Sequence, residues 1–138
     1  MNPINQLQQQ IADLMQERYR DPSTFESFAS ELMSLGITRL TYDAFKDEMA
    51  FYTPDKFIHT LIRTDLIDNQ KHSPWTLGEK LNVTKLEKAI AELDAGKMPA
   101  TEFHRQIFFA GVIFCNVYLN LRKIYYMGSD GEYYLEKY

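Results

Sequence analysis

One pattern occurs twice in the chain, as FASELMSLGITRLTYD at residues 28–43 and as FHRQIFFAGVIFCNVY at residues 103–118. Placing Phe28 on Phe103 aligns the apolar positions of the two copies and also their glycines, Gly36 and Gly111. The same alignment places Phe51 on Tyr126. Because apolar spacing and chain-breaking residues match together, the sequence predicts an internal duplication.

The first copy begins with the pattern of a helix. Apolar residues recur at steps of three and four from Phe25 to Leu35, which predicts a helix with one apolar face. Ser23 and Glu26 predict a capping box at its start. Gly36 predicts its end, because the left-handed conformation that closes a helix strains any residue with a Cβ.

Alternation of apolar and polar residues predicts the strands that follow. The first strand is expected at 37–43, with Leu40 and Tyr42 on one face. A second strand is expected around Met49, and a third over 57–62.

The second copy repeats this order with stronger signals. Pro99 and Thr101 precede a helical pattern that Gly111 ends. The predicted strands of this copy are residues 112–119, 123–127 and, after a glycine-rich turn, 133–137.

Two further helices are predicted outside the copies. One carries an apolar stripe over 4–15, and the other is capped by Thr84 with Glu87. Residues 65–82 are predicted to form an irregular connector. The prediction is therefore a single α+β domain over residues 1–138, with repeat units at about 21–62 and 97–138. In each unit a helix packs on a two- or three-stranded antiparallel sheet, and an extra helix precedes it.

Composition and charge limit the classes of function. The net charge is -4 and the fifteen Lys and Arg residues are scattered, which argues against nucleic-acid binding. The longest apolar run, 107–115, is far shorter than the about twenty residues of a membrane span. The Gln-rich start does not resemble a signal peptide, and the single Cys115 suits a reducing compartment, so the predicted location is the cytoplasm.

Short segments along nearly the whole chain beyond about residue 20 share an order found in a known family: Leu35-Gly36-Ile37, Tyr42, Phe51-Tyr52, Leu86-Glu87, Gly96-Lys97, Phe103, Gly111-Val112, Tyr125-Tyr126 and Gly131-Glu132. In these segments the chain resembles the YbcV-like family, a domain of unknown function sometimes labelled phage envelope protein. The resemblance implies a duplicated α+β fold of small bacterial and prophage-borne proteins. It supplies no activity, cofactor or catalytic residue. The chain departs from the family in its more apolar residues between 107 and 118.

The two units differ on the outer face, meaning the side of the predicted sheet away from the core. In the first unit this face carries Ile37 and then polar residues such as Arg39 and Asp43. In the second unit the outer face is predicted to present Val112, Phe114, Asn116 and Tyr118 on one strand and Tyr125 and Met127 on the next. An apolar patch of this kind usually marks a contact surface.

The sequence alone does not decide what contacts this patch, and three possibilities remain. The N-terminal helix or the connector around Trp75 could lie on it within the same chain. A second copy of the protein could cover it, because aromatic and Met-rich surfaces favour association. The third cover is a hydrophobic or aromatic ligand.

No catalytic, metal or cofactor site is predicted. Cys115 is expected to be a buried, inert thiol. His59, His72 and His104 lack the close spacing of metal ligands, and His104 is expected on a solvated helical face. The carboxylates of the Asp47-Glu48 turn are also expected to be solvated.

These patterns favour a non-enzymatic interaction or accessory protein that forms a homodimer through Phe114, Tyr118 and Tyr125. The alternative is a small-molecule binding protein or enzyme with a tyrosine-lined pocket. The residues expected to line that pocket are Tyr42, Tyr118, Tyr126 and His104.

Overall fold

The computed structural model describes residues 3–22, 24–62, 77 and 80–138. In these residues, four helices and one six-stranded antiparallel sheet form an α+β fold. The helices are α1 (Pro3–Arg20), α2 (Phe25–Ser34), α3 (Val83–Asp94) and α4 (Ala100–Phe109). The strands are β1 (Arg39–Asp43), β2 (Glu48–Thr53), β3 (Lys56–Ile62), β4 (Val112–Tyr118), β5 (Lys123–Gly128) and β6 (Tyr133–Lys137). The predicted fold class and all six predicted strands are confirmed.

The two glycines that align in sequence end equivalent helices. Gly36 follows α2 with a φ of 88°, and Gly111 follows α4 with a φ of 92°. After α2, the Ile37 amide donates to the Leu32 carbonyl at 3.1 Å, which closes the last turn and directs the chain into β1. The predicted role of both glycines as helix ends is therefore confirmed.

The helix starts differ from the predicted caps. The hydroxyl of Thr24 accepts a hydrogen bond from the Ser27 amide at 3.2 Å, so the cap of α2 lies one residue later than the proposed box at Ser23. In α3 the side chain of Asn82 accepts from the Lys85 amide at 3.0 Å, in place of the proposed Thr84. Preference by residue type ranks Asn and Ser above Thr, so it favours the observed Asn82 over Thr84 but also favours Ser23 over the observed Thr24.

The strand registers of the two units agree under the sequence alignment. The sheet order is β3-β2-β1-β4-β5-β6, which places the two units side by side with β1 and β4 at the centre. Leu40 pairs with Phe51 in the first unit, and Cys115 pairs with Tyr126 in the second. Cys115 is the aligned counterpart of Leu40, and Tyr126 is that of Phe51. The geometry is consistent with the predicted duplication, which itself stays a prediction.

One face of the sheet forms the core with the helices. Equivalent side chains from the two units meet there, including Phe28 from α2 and Phe103 from α4, which are both buried and line one cavity. Ile11 and Met15 place α1 on the same core. Ile37 and its counterpart Val112 belong to this core too, since both are fully buried and do not lie on the outer face as predicted.

The predicted connector at 65–82 lies outside the described residues except at 77 and 80–82. Its described end packs on the second unit, where the Asn82 amide donates to the Ala110 carbonyl at 2.7 Å. None of the described helices is long and apolar enough to cross a membrane.

Candidate functional site

The outer face of the second unit is an aromatic surface. Alternation along β4 and β5 brings Phe114, Tyr118, Tyr125 and Met127 to the same side of the sheet. Phe114, Tyr118 and Tyr125 are partly exposed, and Met127 is 37% exposed. All four predicted contact residues therefore share one accessible surface.

The aromatic surface extends further than predicted. The ring of Tyr125 lies between those of Tyr118 and Tyr133, with centroids 6.1 Å from each. Tyr133 on β6 is 62% exposed, which makes it the most exposed aromatic side chain on this face among the described residues. The prediction missed it, although the strand prediction at 133–137 and the two-residue alternation already place Tyr133 on the face of Tyr125.

Three rows of side chains cross the outer face. Each row runs across the strands. The row at one end of the strands contains three cations: Arg39, Lys123 and Lys137. The row at the other end contains two carboxylates followed by apolar groups: Glu48, Asp43, Phe114, Met127 and Tyr133. Between them runs a row of small, polar and aromatic groups: Ala50, Thr41, Asn116, Tyr125 and Leu135. The face is thus basic at one end and acidic and apolar at the other.

The N-terminal helix does not cover this surface. Tyr19 of α1 contacts the helix-covered side of the sheet, where its hydroxyl lies 3.2 Å from the sulfur of Met49. Its ring also meets that of His104, with 5.9 Å between centroids. The expectation that α1 covers the outer face is therefore wrong. Trp75, the other predicted intramolecular cover, lies outside the described residues.

Three of the predicted pocket residues do meet, on the opposite side of the sheet. Tyr42, Tyr126 and His104 all line a cavity of about 40 Å³ between the helices and the sheet. Tyr118 is not among the residues that line it, because its side chain lies on the outer face. The pocket prediction is wrong for Tyr118.

His104 is a core residue. It is 6% exposed, since it lies on the buried stripe of α4 with Phe103 and Ile107. Its imidazole stacks on the ring of Tyr42, with centroids 4.1 Å apart and an interplanar angle of 21°. The predicted solvated position of His104 is therefore wrong.

Asp47 is also buried, contrary to prediction. It is 1% exposed and adopts a φ of 52° in the turn between β1 and β2. The hydroxyl of Tyr42 donates to its Oδ1 at 2.8 Å. The turn folds the carboxylate inward, so that a hydrogen bond to a core tyrosine replaces water. Asp47, Tyr42 and His104 thus form a connected polar cluster beside the cavity.

A buried cation lies on the same cavity and was not predicted. The guanidinium of Arg18 in α1 lies 4.4 Å from the ring centroid of Phe28. Burial lowers the pKa of Arg18 to about 10, although nearby Tyr19, Tyr126 and Asp94 favour its charged form. Arg18 falls three residues after Met15 on the apolar stripe of α1, which is the sequence signal that could have identified it.

Burial disfavours the charged forms of the remaining polar groups here. Burial raises the pKa of Tyr126 well above its ordinary value, and its hydroxyl donates to Glu136 at 2.7 Å. Burial also raises the pKa of Glu136. The pKa of the Cys115 thiol is raised by burial too, which agrees with the predicted inert thiol.

No set of three or more His, Cys, Asp or Glu residues able to hold a metal occurs within the described part of the chain. The side chain of His59 and the whole of His72 lie outside that part.

No model of a known protein family matches the chain, and a search of curated proteins finds no match to it. The fold and the geometry define it as an α+β protein with one helix-covered sheet face and one accessible face that is polar in its first half and aromatic in its second.

Proposed function

We propose that this chain is a non-enzymatic interaction protein that associates with a second copy through the outer face of its sheet. The observation that carries the proposal is the contrast between the two units. The outer face is polar at Arg39, Thr41 and Asp43, whereas Phe114 and Tyr118 occupy the paired strand beside them. Partly exposed aromatic groups grouped on one surface are typical of protein contacts.

The rows on the outer face support a second copy as the partner. If two copies pack face to face about a two-fold axis that runs along the middle row, the basic row of one copy lies opposite the acidic and apolar row of the other. Arg39 would then face Asp43, and Tyr118 would face Phe114. Lys137 would face the ring of Tyr133. These pairs are favourable, whereas Lys123 would lie opposite Met127; the three favourable pairs support a second copy as the partner.

The size of the face limits the area that this association can bury. Six strands about 4.8 Å apart, with about five residues each, give roughly 500 Å² per copy. Two such faces bury roughly twice that area, which lies at the small end of specific interfaces. We therefore propose a weak, reversible dimer.

The central cavity supports a structural role better than the alternative of a binding site. The convergence of Tyr42, Tyr126 and His104 is the observation in favour of a ligand. However, about 40 Å³ accommodates only water-sized molecules, whereas ligand pockets usually measure several hundred cubic ångströms. We therefore interpret the cluster as a structural polar core, with no cofactor and no catalytic role.

The setting of this function rests on the sequence. The resemblance to the YbcV-like family supports a bacterial or prophage-borne accessory protein. The acidic net charge supports a protein partner in preference to nucleic acid. A free, buried Cys115 fits the proposed cytoplasmic location.

Sedimentation over a dilution series tests the proposal. Phe114→Glu places a carboxylate inside the proposed interface and is expected to weaken association at least tenfold. Leu121→Glu is the matched control, because Leu121 is an apolar residue that is 58% exposed in the turn after β4. A wild-type protein that stays monomeric at millimolar concentration, or equal effects of the two variants, would overturn the proposal.

A further inference from the structure

The sixth strand leaves one row of backbone groups without a strand partner in the described residues. β6 is the last strand of the sheet and pairs only with β5. The Gly128 amide donates to the Glu132 carbonyl at 2.8 Å, and the Tyr138 amide donates to the Arg122 carbonyl at 3.1 Å. Both bonds fall at even-numbered residues of the β6 segment.

The direction of the remaining groups follows from antiparallel geometry. Successive residues of a strand direct their N–H and C=O groups to alternate sides. The register between β5 and β6 has no irregularity, so this alternation is kept throughout β6. The backbone groups of Tyr133, Leu135 and Lys137 therefore face away from β5.

This edge lacks two of the usual protections against pairing, a proline and a bulge, although it carries the charged residues Glu136 and Lys137. The strand sequence, YYLEK, contains no proline or glycine. At the opposite edge, the register between β2 and β3 shifts near Phe51 and Tyr52, but β6 is regular. Regular edge strands with apolar residues pair readily with other strands, and proteins usually prevent this with prolines, bulges or inward charges.

We propose that β6 is a docking strand for β6 of a second copy. The two strands would pair antiparallel about a two-fold axis at Leu135, forming about six backbone hydrogen bonds. In this register Leu135 lies opposite its own counterpart, and Tyr133 lies opposite Lys137. An aromatic ring facing an ammonium group across the strands is favourable, so the edge is complementary to a second copy of itself.

This contact differs from the one in the proposed function and does not depend on it. Edge pairing joins two sheets side by side about an axis perpendicular to the sheet, and the outer faces stay accessible. If both contacts form, two edge-paired dimers would stack through their outer faces into a tetramer. The two contacts can be separated by testing the edge in the Phe114→Glu background.

Leu135→Pro removes an amide that faces away from β5, so the fold is expected to persist while edge pairing is lost. In the Phe114→Glu background, sedimentation should show dimers that Leu135→Pro shifts at least tenfold toward monomer. Circular dichroism confirms that this variant is folded.

Cross-linking keeps the proposal testable if the proline variant does not fold. With Cys115→Ser throughout, Leu135→Cys should form disulfide-linked dimers on mild oxidation, because opposed strand residues lie within the about 4.4 to 6.8 Å between Cα atoms that a disulfide spans. Tyr134→Cys, whose side chain lies on the other face, is the matched control and should cross-link at least fivefold less. Equal cross-linking of the two variants, or monomers in Phe114→Glu alone at millimolar concentration, would overturn the proposal.

Discussion

Thr41 and Asn116 lie opposite each other where β1 pairs with β4, and they are also equivalent positions of the two units in the sequence alignment. Because this pair is at the centre, exchanging each residue of β1 for its equivalent in β4 reproduces the same pairing of the two strands. The middle of the sheet therefore has approximate two-fold symmetry in its backbone. The side chains on its outer face do not follow this symmetry, and that difference produces one polar half and one aromatic half.

The two helix-ending glycines are expected to differ in their tolerance of a side chain. Gly36→Ala should cost about 1 to 2 kcal/mol, because the left-handed conformation strains alanine although the space around it is open. Gly111→Ala should cost clearly more, because its Cβ would lie 2.5 Å from the Lys80 carbonyl oxygen. Chemical denaturation of both variants measures this difference. Equal losses would show that the segment before α3 does not pack on Gly111.

The buried hydroxyl of Tyr42 is expected to matter more than that of an outer tyrosine. Tyr42→Phe removes the donor to Asp47 and should lower the free energy of unfolding by about 1 to 3 kcal/mol. Tyr125→Phe on the outer face is the control and should change it by less than about 0.5 kcal/mol. Both values come from urea denaturation at a concentration where the protein is monomeric. A neutral effect of Tyr42→Phe would mean that Asp47 is hydrated.

Glu136 is expected to make stability depend on pH. Because burial raises its pKa, the folded state binds the proton more tightly than the unfolded state. The contribution of Glu136 to stability therefore falls as the pH rises from its ordinary pKa, which applies to the unfolded state, to the raised pKa of the folded state. Above the raised pKa the contribution is constant. Glu136→Gln removes this dependence and should stabilise the protein at pH 7 more than at pH 5.

Denaturation at the two pH values, with the exposed Glu31→Gln as control, tests this expectation. A stability difference between Glu136→Gln and wild type that is the same at pH 5 and pH 7 would contradict it.

The proposed orientation of the outer-face dimer predicts a charge rescue. Arg39→Asp places two carboxylates against each other and should weaken association several-fold. Adding Asp43→Arg should restore it, because each cation again faces a carboxylate of the second copy. Sedimentation at low salt measures both effects. If the double variant is as weak as Arg39→Asp alone, the two copies do not meet along the middle row.

The regular parts of the fold follow from local signals. Gly36, Gly111 and the two-residue alternation of the strands gave correct helix ends and all six strands, because backbone strain and burial act on those residues directly. The four outer-face residues followed from the same alternation. The helix caps were less exact, since residue type favours Ser23 over Thr24, which forms the observed cap.

The errors fall on polar residues in the core. His104 was expected in water because it lies beside Glu102 and Arg105, and Asp47 because acidic residues are common in turns. Their burial depends on partners distant in the sequence or on a turn: Tyr42 of β1 stacks on His104 of α4 and donates to Asp47. The local spacing of residues does not indicate which helix packs on which strand. The contact of Arg18 in α1 with Phe28 in α2 could not be predicted for the same reason.

Concentration-dependent NMR tests the central claim most directly, because it identifies the residues that meet. On dilution from millimolar to micromolar protein, we expect the largest amide and side-chain shift changes at Phe114, Tyr118, Tyr125 and Met127, with little change at Tyr42 and His104 in the core. Spectra that do not change over this range, or changes confined to α1 to α4, would contradict association through the outer face.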